Sequence, residues 1–205
     1  MILIGYSGHA YVVYGILRQA GRVVTGYCDI APRETNPFEL AYMGHEATDS
    51  GTEQIRRHDF FIAIGDNRIR KKIYDQFAAI QRYPVNAVHP SALIDASVAL
   101  SEHGVMIAAG VCINPLAKIG NGAICNTGCI IEHECIVGDF AHIGPGAVLC
   151  GHVSVGEGSF IGAGAVVRQN IHIGKNAMIG MGAVVLKDVA DGETVVGNPS
   201  RMLNK

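Results

Sequence analysis

The sequence predicts two folds in one chain: a small Rossmann-like α/β domain, then a parallel β-helix. Three observations predict this. Glycine is split unevenly, with 8 of its 26 residues before position 100 and 18 after it. The first part alternates strand-like apolar runs with amphipathic stretches, whereas the second repeats every six residues. The change of character falls at Val88-His89-Pro90, which gives expected domains 1–88 and 89–205.

In the first domain, Met1 to Ile4 is a short apolar run that ends at Gly5-Tyr6-Ser7-Gly8. An amphipathic stretch from His9 to Gln19 reads as a helix, and Val23 to Cys28 as a second strand closing at Asp29. Ile30 to Met43, with two prolines, reads as loop. A helix from Thr48 to Arg57 leads into the strand Phe60-Phe61-Ile62-Ala63-Ile64. Gly65-Asp66 then opens a charged helix from Asn67 to Ile80. Strand and helix in alternation specify a small parallel sheet with crossover helices.

In the second domain, steps of six from Ile113 to Val185 visit thirteen positions, of which twelve are Ile, Leu or Val. Four residues after each step stands Ala, Cys or Ser in ten of thirteen cases, and the residue just after the step is Gly in seven. No α-helix has this period. Each hexad reads as one flat side of a coil, with the aliphatic residue inward and the small one beside the corner. The pattern extends back through Leu100 and Ile94, and one extra residue is expected between Val105 and Ile113.

A formal charge of -2 gives no electrostatic case for nucleic acid as a partner. No apolar run approaches the ~20 residues that span a bilayer. The first nine residues lack a signal-peptide pattern. Six cysteines without zinc-type pair spacing suggest reduced thiols. A cytoplasmic location is therefore expected.

The hexads of residues 94–199, with the tail Val195-Val196-Gly197-Asn198-Pro199-Ser200-Arg201, resemble the left-handed β-helix acyltransferases. The whole chain is similar to the PglD-type nucleotide-sugar N-acetyltransferases. The residues that carry this are Gly5-Tyr6-Ser7-Gly8-His9, the run from Phe61 to Asn67 with Arg70, and the run from Asn126 to Cys135. The resemblance implies a left-handed coil, a homotrimer, acetyl-CoA as donor, and a nucleotide-linked 4-amino-sugar as acceptor.

His133 lies two places after Ile131, so the register turns it out of the core. Acetyl transfer needs a base whose pKa lies near operating pH, and imidazole provides one. Glu134 can orient the ring. Taken alone such a pair reads as solvated surface; the family's motif assigns His133 as general base with Glu134 beside it. His142 is half an 18-residue coil further on, so the two histidines meet only across a subunit interface. The resemblance assigns His142, Gly151, Ala163 and Met181 to acetyl-CoA, while a turn-capping role for His142 stays open. Gly is the family's residue at the position of Met181, which points to an altered adenine pocket. Cys135 falls in the small inward slot and reads as packing. His103, His152 and His172 read as surface residues. Two histidines fall short of a zinc set, so no metal is expected.

Gly5-Tyr6-Ser7-Gly8 between a strand and a helix can cradle a phosphate with backbone N–H groups. The resemblance assigns Ser7, Gly8, His9, Asp29, Gly65, Asn67 and Arg70 to the nucleotide-sugar, with UDP and GDP both open. Two other readings stand beside N-acetylation: O-acetylation of a sugar hydroxyl, and a non-catalytic hexapeptide scaffold that senses a nucleotide.

Overall fold

Strand β1 (Ile2–Ile4) pairs in parallel with β2 (Gly26–Cys28) on one side and β4 (Phe60–Ile62) on the other. These are the first elements of a computed structural model that describes residues 1–203. Asn204 and Lys205, the end of the expected second domain, lie outside the described residues. Ile2, Leu3, Ile4, Phe60 and Phe61 are at most 1% exposed, as expected for a parallel sheet covered on both faces. Helices α1 (Gly8–Gln19), α2 (Asp49–Arg57) and α3 (Asn67–Ala78) supply that cover. Thr48 caps α2 by accepting from the Gly51 N–H, and Asp66 caps α3 by accepting from Arg68 and Ile69. The predicted loop 30–43 contains one further strand, β3 (Ala41–Tyr42), on the outer edge of β2. Two exposed residues carry no periodicity, so nothing in the sequence marked it.

The second region is a coil of three parallel sheets in which each residue pairs with the one a full turn later. One sheet contains Met106–Ile107, Ile124–Cys125, His142–Ile143, Phe160–Ile161 and Met178–Ile179 in order. The second contains Cys112–Ile113, Ile130–Ile131, Val148–Leu149, Val166–Val167 and Val184–Val185. The third contains Lys118–Ile119, Ile136–Val137, Ser154–Val155 and His172–Ile173. Every inward aliphatic from Ile113 to Val185 is at most 2% exposed. The hexad reading therefore holds at each step.

Two details of register differ from expectation. The first sheet already contains Ala87–Val88, paired with Met106–Ile107. The step from Leu100 to Ile107 is seven residues, so the extra residue lies in the turn before Val105, not after it. There the Gly104 N–H donates to the Pro84 carbonyl, and Tyr83 stacks on His103 at 4.3 Å. The connection from the first domain leans on this turn, and the turn is longer by one residue.

The outward side of the first sheet is covered over its early coils and opens to solvent at Met178. Met106, Ile124 and His142 are buried against the first domain, in a core continuous with Val13, Ile16 and Leu17 of α1. Among the described residues no helix is long and apolar enough to cross a membrane.

Candidate active site

His133 and Glu134 occupy a corner of the coil, immediately after Ile130–Ile131. The His133 Nδ1 lies 3.0 Å from Glu134 Oε2. Glu134 has a φ of +61°, a left-handed corner that throws its side chain outward. One coil on, Gly151 lies beneath the His133 ring, and a Cβ added there would come within 2.5 Å of the imidazole. That position must be glycine if the ring is to lie where it does. His152, expected at the surface, is indeed half-exposed, but its Nε2 lies 2.8 Å from the same Glu134 oxygen. The 18-residue coil was the signal that could have found it, because 152 is one coil after 134.

His133, Glu134 and His152 offer ligating atoms within 4.8 Å of one another. The Glu134 carboxylate lies between the two rings.

His142 is elsewhere. Its Nε2 meets the Asn126 amide at 3.1 Å, and its ring packs against Phe160 at 4.9 Å and faces His9 at 6.3 Å. Within one chain the structure does not bring His133 and His142 together. The His142 Nδ1 and His9 Nε2 are buried without a hydrogen-bond partner. Burial, with Arg70 nearby, pushes His9 down to about 4. The same two causes, with His9 added, push His142 down to about 3. Both rings are neutral at pH 7 and present bare nitrogens at the domain junction. Asn126 was not assigned a role from sequence.

Asn67 and Arg70, expected at the nucleotide-sugar, are turned to the coil. The Arg70 guanidinium, 1% exposed, donates all five N–H groups: Nε to Gly122 O, Nη1 to Ile64 O and Gly65 O, and Nη2 to Asn67 Oδ1 and Phe140 O. Asn67 Nδ2 donates to Gly158 O and Ser159 O. Gly122, Phe140 and Gly158 are successive turns of the coil, 18 residues apart. The first turns of α3 thus measure out three coils, and Arg70 has no donor left for a ligand. Burial lowers the guanidinium to about 9, which still leaves it charged at pH 7.

The remaining first-domain residues surround the N-terminus of α1. Gly5 has a φ of +88°, and a Cβ there would meet Ile64 at 2.7 Å, so the strand turns into the helix only with glycine. Ser7 makes no side-chain cap, no acidic residue lies in the first turn, and a Cβ on Gly8 would meet open space. The free N–H groups therefore face a cavity of about 400 Å³ lined by Tyr6, Ser7, Gly8, Tyr11, Arg33 and Glu34 among others. This is an anion-accepting geometry. Gly65 packs under the His9 ring. Asp29 is 6% exposed and its carboxylate is fully engaged, accepting from the Tyr6 and Ile30 N–H groups and from both Arg33 Nε and Nη2. Arg33 was not foreseen. It lies on the rim of the cavity and brings a cation to it.

Ala163 and Met181 stand one coil apart, the first half-buried and the second 80% exposed. Cys135 is fully buried, and burial pushes its thiol up to about 11, so it is packing rather than a nucleophile.

The sequence profile of the PglD N-terminal domain matches residues 1–77, and that of the bacterial transferase hexapeptide (six repeats) matches residues 134–169 and 152–187. Among solved structures, a point variant of perosamine N-acetyltransferase from Caulobacter crescentus, solved with CoA and GDP-perosamine, is 37% identical. That match covers 100% of this chain and 96% of the other, with a TM-score of 0.93. The chain belongs to the PglD-type nucleotide-sugar N-acetyltransferases. The acetyltransferase domain of PglB from Neisseria gonorrhoeae, solved with acetyl coenzyme A, is 30% identical over 98% of both chains, with a TM-score of 0.89. WeeI from Acinetobacter baumannii is 27% identical over 98% of both, with a TM-score of 0.87. In this PglD-type chain the coil is a left-handed β-helix, and the fold as a whole is that of an acetyltransferase.

Proposed function

We propose that this protein transfers the acetyl group of acetyl-CoA to the 4-amino group of a nucleotide-linked amino-sugar, with His133 as general base. The observation that carries the assignment is the His133 Nδ1 to Glu134 Oε2 contact at 3.0 Å. A carboxylate that holds the Nδ1–H fixes the tautomer in which Nε2 has its lone pair free. The thioester of acetyl-CoA supplies an electrophilic carbonyl. As the sugar amine attacks it, His133 Nε2 takes the amine's proton, and the imidazolium formed beside Glu134 returns that proton to the departing sulfur. No enzyme nucleophile is needed, which suits the buried Cys135.

The nucleotide's phosphates rest on the N-terminus of α1, at Ser7, Gly8 and His9, with Arg33 held ready by Asp29. Acetyl-CoA runs along the coil past Gly151, Ala163 and Met181 and reaches His142 of a neighbouring copy. That arrangement makes the active enzyme a homotrimer. The separation of His133 from His142 within one chain supports it, as do the exposed outward Ile136, Val166 and Met178. The six free cysteines fit a reducing, cytoplasmic setting.

The test is free-thiol release from acetyl-CoA with a panel of GDP- and UDP-linked 4-amino-sugars, GDP-perosamine first, beside their 4-hydroxy counterparts. Rapid release with an amino-sugar is expected. Release with the hydroxyl compounds alone would replace N-acetylation by O-acetylation, and no release or acetyl-CoA binding would leave a scaffold.

A further inference from the structure

The Glu134 carboxylate is shared. Its Oε2 lies 3.0 Å from His133 Nδ1, as a hydrogen-bond partner, and 2.8 Å from His152 Nε2, so one oxygen sits between two imidazoles. The β-helix register builds this arrangement. Glu134 and His152 fill the same slot one coil apart, both at left-handed corners with φ of +61° and +60°. The His152 backbone N–H also donates to the His133 carbonyl at 3.0 Å, and the two rings meet edge-on with centroids 5.9 Å apart.

We propose that His152 is a positioning residue for acetyl transfer, which clamps the Glu134 carboxylate from the far side so that it holds the His133 imidazole in one orientation. This rests on the reading of His133 as the base. A half-exposed carboxylate with a single partner is a weak tether, because its terminal torsion is soft and water competes for its oxygens. A second partner against the same oxygen, anchored to the next coil, removes that freedom. The orientation of the base is then set by two rungs of the coil rather than by one surface side chain. Glu134 touches the base and His152 touches only Glu134, so His152 acts through the carboxylate. Its Nε2 is the atom nearest the carboxylate, and the amide nitrogen of glutamine reaches the same place.

The experiment compares His152→Ala and His152→Gln with the unaltered enzyme and with His133→Ala, measuring kcat and both KM values, with thermal unfolding as a control on folding. Orientation of a catalytic group is worth up to about a hundred-fold per ångström of misplacement, so His152→Ala is expected to lower kcat about ten-fold while both KM values stay within about two-fold. His152→Gln is expected to restore most of kcat. In nitrogen NMR, the His133 Nδ1–H signal is expected to exchange faster with water in the alanine variant and to recover in the glutamine one. An unchanged kcat in His152→Ala would overturn the proposal, as would a loss seen in KM alone or a glutamine variant no better than alanine. Full activity in His133→Ala would instead remove the base reading itself, and the NMR signal would still report whether His152 orders the ring.

Discussion

Two pairs of histidines meet at this coil, one of them shared with α1, and their surroundings are opposite. At the corner, His133 and His152 are half-exposed and share a carboxylate. At the domain junction, His9 and His142 are buried, bare of acid partners, and face a buried arginine. The same side chain thus stands half-exposed beside a carboxylate in one place and is buried and kept neutral in the other. On the proposed reading the first pair serves the chemistry, and the second lines the dry wall where domain and coil meet.

Removing the base is the largest break in this contrast. His133→Ala is expected to lower kcat about 100- to 10,000-fold, the usual worth of a general base, and to leave the oligomer intact by light scattering. Activity near that of the unaltered enzyme would make the corner an ordinary surface pair. At the junction the largest expected effect is on stability. Arg70→Met leaves the carbonyls of Gly122, Phe140, Ile64 and Gly65 without their donor, at a cost of about 3 kcal/mol or more. For a chain of this size that lowers Tm by roughly 6–12 °C in calorimetry. A smaller change would mean that water replaces the guanidinium easily.

A third test separates the two regions by pH. The folded state holds His9 near 4 and His142 near 3, below the ordinary 6.5. The unfolded chain therefore takes up protons first as pH falls. Stability from this source is whole above about pH 6.5 and is lost on going down, by about 1.4 kcal/mol per pH unit for each ring, until the folded-state values are reached. Urea midpoints between pH 7 and 5 should show this slope, and His142→Gln should reduce it by about one ring's share. An unchanged slope would mean that His142 is not held neutral at the junction.

The coil was legible almost to the residue, because a six-residue period writes its core at fixed positions from Ile113 to Val185. The corner was half legible. His133 and Glu134 came from register and motif, but His152 is an 18-residue neighbour, and adjacency across coils has no local signature. The junction was legible least. Arg70 resembled a ligand-binding residue by motif, and only the structure shows its five donors spent on the coil, on Asn67 and on the carbonyls of Ile64 and Gly65. The turn before Val105 was misplaced for a similar reason: what fixes its length is the Pro84 segment packed against it.

The smallest predicted effect is the sharpest measure of how far the corner is preorganised. Gly151 has no left-handed φ to relieve, and a methyl group there first meets the His133 ring. The ring above the buried Gly151 is half-exposed and can swing away, so the methyl group strains the coil little and Gly151→Ala should leave Tm within about 1–2 °C. Its cost falls on chemistry, because the imidazole that swings away also leaves Glu134. A drop in kcat of about ten-fold is expected, measured by thiol release at saturating substrates, with both KM values less affected. If kcat stays whole, the ring finds its working orientation without the Gly151 seat, and the contrast between a preorganised corner and a rigid junction fails at the corner. If Tm falls with kcat, the glycine serves the coil as well as the base.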